Sequence, residues 1–479
     1  MSLKEKERLE KAFQVFKEAL ESVPAYRDFL KRSGFDPNFV KGPQDFEKIP
    51  ITDKEQYLRK YKLPELCLNG TLKGMHTVYR SAGTTGEPLF WPRLPEEEAG
   101  LPAMLSRELN ATYNTEGIHT LIVAALPLGS WLRGGEVTWA AHAAALSTNG
   151  AFTCVTPGDD VEETVRVIKM LGEYYQQIVL VCYPPRLLPI IDMGEKSGLD
   201  WPGMKIRFAF VGESVSEEWR SKIGSRIGLS ETELLATWGN YGGTETGRVG
   251  RETPFTVLLR RKASEDEALC KELFGKSRPP FLCERDPAAA QVEVIDGEMV
   301  FTKHQAVPLV RYNIHDRGAI ISRHRINEIF AARNIDLGHL LQNLGFSKRD
   351  SDSDAPILAI YGRSEGAVRF MGVEIHPSQV IEALVDSPLK GSCTRNVKLV
   401  LETGYRGEQQ LRLIIELADG LVPEAGLKRR FAKIISENLR KVNPAFNTLC
   451  NTMGKDAEQC FPNVELLFFG SWEDDPTND

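Results

Sequence analysis

The 479-residue sequence predicts an α/β protein in two unequal parts, a large N-terminal α/β unit followed by a smaller α+β unit. Two observations carry that expectation. Between 118 and 300, apolar strand-like runs (118–126, 178–182, 206–211, 233–237) alternate with helical stretches (137–146, 161–174, 217–227), the pattern of a sheet with crossover helices. After 356 the order changes to strands 357–361 and 368–373, a helix over 377–385, strands 397–401 and 411–417, a helix over 427–442 and a last strand over 464–469.

At the start of the chain, Leu9, Phe13, Phe16 and Leu20, then Tyr26 and Leu30, place apolar side chains on one face of a helix broken near Pro24. Around 317–356 the pattern falters. A helix is expected after Arg323-His324-Arg325, the polar run 347–354 reads as a loop with a boundary just after it, and the stretch around 325–355 is expected to be an insertion between the two parts.

Composition narrows the function classes. With 42% hydrophobic and 26% charged residues the chain is that of an ordinary globular protein. Lys and Arg number 59 against 66 Asp and Glu, a net charge of −7 without a long basic block, which excludes an electrostatic footprint for nucleic acid or an anionic membrane. No apolar run approaches the ~20 residues of a spanning helix; the stretch 178–191 is interrupted by Pro184, Pro185, Arg186 and Pro189. The charged opening residues lack the apolar core of a signal peptide, so a cytoplasmic protein is expected. Eight dispersed cysteines with no Cys-x-x-Cys pair read as reduced, packing thiols.

Four segments carry chemistry. Ser81-Ala82-Gly83-Thr84-Thr85-Gly86 packs three hydroxyls and two glycines into six residues, a composition that lets backbone and hydroxyl donors converge on a phosphate and equally suits a turn between strands. Tyr241-Gly242-Gly243-Thr244-Glu245 follows a predicted strand, where ligands of α/β sheets collect; Tyr241 offers a face for a base and Glu245 a carboxylate for Mg²⁺. Asp316 closes a strand-like run and offers an acceptor for ribose hydroxyls. Gly362-Arg363-Ser364-Glu365-Gly366 matches the G-x-S-x-G of hydrolases, but a strand-like run follows where a nucleophile elbow needs a helix, so no hydrolase is predicted.

In this order and spacing the segments resemble the adenylate-forming superfamily of acyl-CoA synthetases, specifically its phenylacetate-CoA ligase-like branch. The opening signature of that branch is matched by 23–30, Asp45-Phe46 and Ile49-Pro50-Ile51-Thr52-Asp53-Lys54, and 373–380 resembles its second C-terminal motif. The resemblance implies a large, multi-subdomain adenylating domain over 1–361 and a small α+β lid over 362–479 that rotates about a hinge at Ser364-Glu365. It implies that Ser81, Gly83, Thr84, Thr85 and Gly86 hold the phosphates and that Gly212, Glu213 and Ser214 line adenine with Tyr241 and Gly242. Thr244 is expected at the α-phosphate, Glu245 at Mg²⁺, and Asp316 with Arg363 at the ribose. The acid pocket is expected around Trp131, Arg133, Gly134 and Gly135, with Trp131 equally suited to plain core.

The implied co-substrates are ATP with Mg²⁺, a small carboxylic acid and coenzyme A. In the family a lysine after the last lid strand serves adenylation. Here 468–479 contains none, and Lys455, which precedes that strand, is the candidate replacement. Two alternatives therefore stand beside the CoA ligase: an adenylating enzyme that transfers to a carrier-protein thiol or an amine, and a nucleotide-binding relative with impaired catalysis. A homodimer is compatible with either.

Overall fold

A computed structural model describes residues 3–81, 88–148, 150–212, 215–286, 291–347, 353, 355–363, 366–385, 387–405, 407–453 and 460–472. In chain order the strands are β1 (Thr77–Arg80), β2 (Phe90–Arg93), β3 (Thr120–Ala125), β4 (Phe152–Val155), β5 (Gln177–Cys182), β6 (Ile206–Phe210), β7 (Thr237–Gly243), β8 (Gly247–Arg251) and β9 (Phe281–Arg285). They continue as β10 (Gln291–Ile295), β11 (Glu298–Lys303), β12 (Leu309–Ile321), β13 (Ile357–Arg363), β14 (Val368–Phe370), β15 (Val373–Ile375), β16 (Cys393–Thr403), β17 (Gln409–Leu417) and β18 (Asn463–Leu467).

Eleven strands join in the order β10-β11-β12-β13-β9-β8-β7-β6-β5-β3-β4. From β4 to β7 neighbouring strands are parallel, and from β7 to β10 they are antiparallel. The strand β7 is thus the seam between two kinds of sheet. On the parallel side both faces are covered: Leu121, Val123, Ile178 and Leu180 belong to one apolar core, while the alternating Ile122, Val179 and Val181 belong to another.

The predicted helices form with small shifts at their ends, and the N-terminal helix breaks at Pro24 into Leu3–Ser22 and Pro24–Arg32. Three expectations change. The stretch predicted to begin at 137 starts five residues earlier, as a helix over Leu132–Ser147. The strand predicted over 233–237 instead occupies Thr237–Gly243, so the glycine-rich run is itself strand. The supposed insertion contains two helices, Arg323–Ala331 and Leu337–Asn343, whose Ile326, Ile329, Phe330, Leu337 and Leu341 pack with Phe255, Leu258 and Ile357 in one core. Those residues are part of the large unit's interior, not an appendage.

The N-terminal segment is stitched to β12. Thr52 N–H donates to the Arg311 carbonyl (3.0 Å), Asn313 N–H to the Thr52 carbonyl (2.8 Å), and the Thr52 hydroxyl to the Val310 carbonyl (3.0 Å). Arg311, at a left-handed φ of 45°, is buried and donates through Nη1 to the carbonyls of Glu47 and Ile49, both at 2.6 Å. Its guanidinium also pairs with Glu293.

Beyond β13, β14 pairs with β15, and β16, β17 and β18 form a second small sheet. These strands, the helices Pro377–Val385 and Ala425–Val442, and an unanticipated helix over Pro444–Met453 enclose a separate apolar core running from Phe370 to Leu466. Because β13 leads into strand β14, the G-x-S-x-G match has no following helix. No helix among the described residues is long and apolar enough to cross a membrane.

Candidate active site

The β1–β2 hairpin presents the first predicted segment. Ser81 N–H donates to the Leu89 carbonyl (2.8 Å) and Leu89 N–H to the Ser81 hydroxyl (3.0 Å), so Ser81 is buried at the neck of the loop. Gly83, Thr84, Thr85 and Gly86 lie outside the described residues, as do Glu213, Ser214, Ser364, Glu365 and Lys455.

The end of β7 is set from below by a buried ionic group. Glu252 accepts from Gly239 N–H (2.7 Å), Arg220 Nη2 (2.7 Å) and Arg260 Nη1 (2.7 Å), and none of these side chains is more than 3% exposed. Arg220 also donates to the Thr237 carbonyl at the start of β7. A carboxylate so deep is stable only with such partners, and here they also fix the strand that carries Tyr241.

Above that base, three predicted residues from distant segments meet. The Tyr241 hydroxyl donates to Asp316 Oδ2 at 2.7 Å, and Arg363 Nε lies 3.2 Å from Asp316 Oδ1. Asp316 and Arg363 are directly opposite in the β12–β13 register. Burial pushes the Asp316 carboxyl up, against the opposing pull of Arg363 and the Tyr241 hydrogen bond. Gly242 is required sterically: at φ +152° an added Cβ would stand 2.0 Å from the Gly247 carbonyl oxygen. The Glu245 carboxylate is half-buried and accepts no hydrogen bond from a described side chain, while its charge is felt at Lys54, Tyr312 and Arg363. A carboxylate free of a direct cation contact among the described residues suits Mg²⁺, which takes one or two protein carboxylates and completes its shell with phosphate oxygens and water.

Gly212, at φ +86° after β6, has no room for a side chain, since a Cβ would meet the Tyr183 ring at 2.4 Å. Its carbonyl accepts from Arg369 Nη1 at 2.6 Å, tying β14 to the end of β6. Arg369 and Arg363 both face Glu374, at 3.7 and 3.6 Å, and His376 Nε2 lies 3.0 Å from the same carboxylate. Burial alone would raise the Glu374 pKa; His376 and the two guanidiniums outweigh it and hold the carboxyl down at about 2.

At the expected acid pocket, Trp131 is half-buried with the Arg80 guanidinium 4.0 Å above its ring. It is therefore not plain core. Arg133 pairs with Glu136 at 3.2 Å. Gly134 and Gly135 have packing reasons of their own: a Cβ would stand 1.6 Å from the Pro127 carbonyl oxygen at the first and 2.7 Å from the Tyr79 ring at the second.

Several residues of the site went unassigned in the sequence. Lys54, in the segment stitched to β12, is largely buried; burial lowers its pKa while Glu245 and Glu374 pull it upward. Glu374 and His376 were part of a motif without individual roles, and Arg369 fell in a run read only as a strand. Arg93, Lys303 and Gln305 gave no sequence signal, because what they touch lies far off in the chain.

No family model matches the chain. It is 22% identical over 396 residues to phenylacetate-coenzyme A ligase of Aromatoleum evansii, covering 80% of this chain and 75% of that one. With the enzyme of the same name from Pseudomonas putida it shares 23% identity over 385 residues, 79% of this chain and 74% of that one. Among solved structures, 2-hydroxyisobutyryl-CoA ligase with 2-HIB-AMP and CoA in the thioesterification state superposes with a TM-score of 0.60 at 16% identity, over 98% of this chain and 88% of that one. The fold is that of the adenylate-forming CoA ligases. An open conformation of the same CoA ligase superposes with a TM-score of 0.54. The fold brings β7, the β12–β13 pair and the β14–β15 hairpin to one place, where Tyr241, Asp316 and Arg363 meet beside Arg369, Glu374 and His376.

Proposed function

We propose that the protein activates a small carboxylic acid with Mg·ATP through an acyl-adenylate and transfers the acyl group to coenzyme A. The observation that carries this reading is the convergence of Tyr241, Asp316 and Arg363, from three strands, beside Glu245. A carboxylate is a poor electrophile because its leaving group is oxide. In the first half-reaction a carboxylate oxygen bonds to the α-phosphorus of ATP and the bond to the β-phosphate bridge breaks, releasing pyrophosphate. In the second, the thiol attacks the acyl carbon, loses its proton, and AMP leaves. Neither step asks the protein for a nucleophile; both ask for positioning and for charge stabilisation.

In this scheme Asp316 and Arg363 hold the ribose, Tyr241 and the backbone at Gly242 and Gly212 border the adenine with Glu213 and Ser214, and the loop from Ser81 to Gly86 wraps the phosphates. Thr244 sits at the α-phosphate. Glu245 holds Mg²⁺, which when bound draws charge from the phosphate oxygens. Trp131 and Arg133 border the acid, with Gly134 and Gly135 setting the wall behind them. The separate cores support two units that divide near the expected 361/362, with β13 continuing to Arg363 in the large unit's sheet, Ser364-Glu365 as the hinge of the lid and Lys455 as the candidate cation delivered by it. The setting is cytoplasmic.

The test is pyrophosphate release with a panel of aryl and short aliphatic acids, with and without coenzyme A. Release in the presence of acid, with thioester formed only when coenzyme A is added, is the expected result. Release without thioester moves the acceptor to a carrier protein or an amine, and no release with any acid rejects adenylation. Glu245→Ala abolishes the Mg·ATP-dependent release in an active enzyme while leaving the fold intact.

A further inference from the structure

Three successive carbonyls after β7 are each held by a different side chain. The Thr244 carbonyl accepts from Arg93 Nη2 at 3.1 Å, the Glu245 carbonyl from Gln305 Nε2 at 2.8 Å, and the Thr246 carbonyl from Lys303 Nζ at 2.8 Å. The donors come from two places, the end of β2 and the end of β11 with the loop after it. Arg93 is 3% exposed and Gln305 fully buried, and Lys303 is partly buried.

We propose that Arg93, Lys303 and Gln305 act together as positioning residues that fix the backbone from Thr244 to Thr246, and with it the aim of the Thr244 and Glu245 side chains. The inference rests on the adenylation reading for its activity arm only. Carbonyls in a short connection between antiparallel strands normally turn to water; pinning three in a row removes the freedom that β7 and β8 leave to the segment. The donors are themselves braced. Arg93 pairs with Glu97 at 3.3 Å, and Glu97 Oε1 accepts from the backbone N–H groups of Leu94 (2.9 Å) and Ala306 (2.8 Å), joining the two sources of donors. Gln305 Nε2 also reaches the Val307 carbonyl at 3.0 Å, whereas its Oε1 meets no partner among the described residues, so the amide is oriented by what it donates.

Lys303 supplies the energetic argument. Burial, then the neighbouring Arg93, lowers its pKa to about 8, so keeping its ammonium in place at neutral pH opposes folding. A methionine there would fill the same space at no such cost. A lysine that weakens the fold yet holds a site carbonyl is explained by what it positions.

The experiment compares the full chain with Lys303→Met, Gln305→Leu and the conservative Lys303→Arg. Two readouts are taken, hydrogen exchange of the amides from 243 to 247 and, in an active preparation, the KM for Mg·ATP separately from kcat. The expected result is exchange at least tenfold faster across 243–247 in Lys303→Met and Gln305→Leu, with a KM or kcat effect of similar size, and recovery of most of both in Lys303→Arg. Thermal melting ensures that only folded variants are compared; where Gln305→Leu fails to fold, Lys303→Met decides alone. Unchanged exchange in 243–247 overturns the proposal. Absence of pyrophosphate release from the unsubstituted protein rejects the adenylation reading instead, and the exchange arm still decides for or against the clamp.

Discussion

The hydroxyl of Tyr241 donates a 2.7 Å hydrogen bond to the carboxylate of Asp316, across 75 residues of sequence and between two strands that are not neighbours in the sheet. An acceptor that is buried and charged makes this bond worth more than an average one, about 1.5–3 kcal/mol. Tyr241→Phe, Asp316→Asn and the double variant form a cycle in urea unfolding. The expected coupling energy is about 2 kcal/mol, and additive losses would show that the pair contributes no interaction of its own.

Glu374 makes stability sensitive to acid. Its carboxyl, ordinarily near 4.5, is held at about 2 in the folded protein, so its contribution is complete above 4.5 and is lost as pH falls from there toward 2. The full difference corresponds to about 3 kcal/mol. Unfolding free energies of the native protein and Glu374→Gln should therefore converge between pH 4.5 and 2, and parallel pH profiles would contradict the assignment.

Lys303 acts at the other end of the scale with the opposite consequence. An ordinary lysine near 10.5 is lowered to about 8 here, so between those values the unfolded chain binds the proton that the folded one has released, and stability rises with pH. Lys303→Met should remove up to about 3 kcal/mol of that rise. Chemical denaturation at pH 7.5 and 10 measures it; the same slope in both proteins would exclude a depressed lysine.

Gly242→Ala forces a methyl group to within 2.0 Å of the Gly247 carbonyl oxygen, which only backbone movement at the β7–β8 turn relieves. A loss of about 3 kcal/mol is expected, in the range of severe backbone strain. Gly426→Ala, where a Cβ meets nothing within 4 Å, is the matched control and should melt within a degree or two of the native protein.

Much of the fold was legible because strands such as 178–182 are apolar throughout and the helices between them are amphipathic, so the parallel half declares itself locally. The antiparallel half was less so. Thr237–Gly243 contains three glycines and reads as loop, yet it is a strand because pairing with β6 and β8 overrides propensity. Tyr241, Asp316 and Arg363 were legible individually through their motifs. Arg93, Lys303 and Gln305 were not, since each acts on a backbone carbonyl 57 to 151 residues away and a carbonyl leaves no mark on the sequence.

The stitch between Thr52 and β12 bears on how the chain is made. The Thr52 hydroxyl and its acceptor at Val310 are separated by 258 residues, and the apolar core around the first two helices is closed by Val307, Leu309, Val310 and Tyr312. At roughly 5–20 residues per second, a ribosome needs about 13–50 s to deliver that partner after Thr52 has been added. The first seventy residues, though first to emerge, thus wait for their native partner, and for that interval the aromatic side chains of their core lack the cover that β12 later gives them.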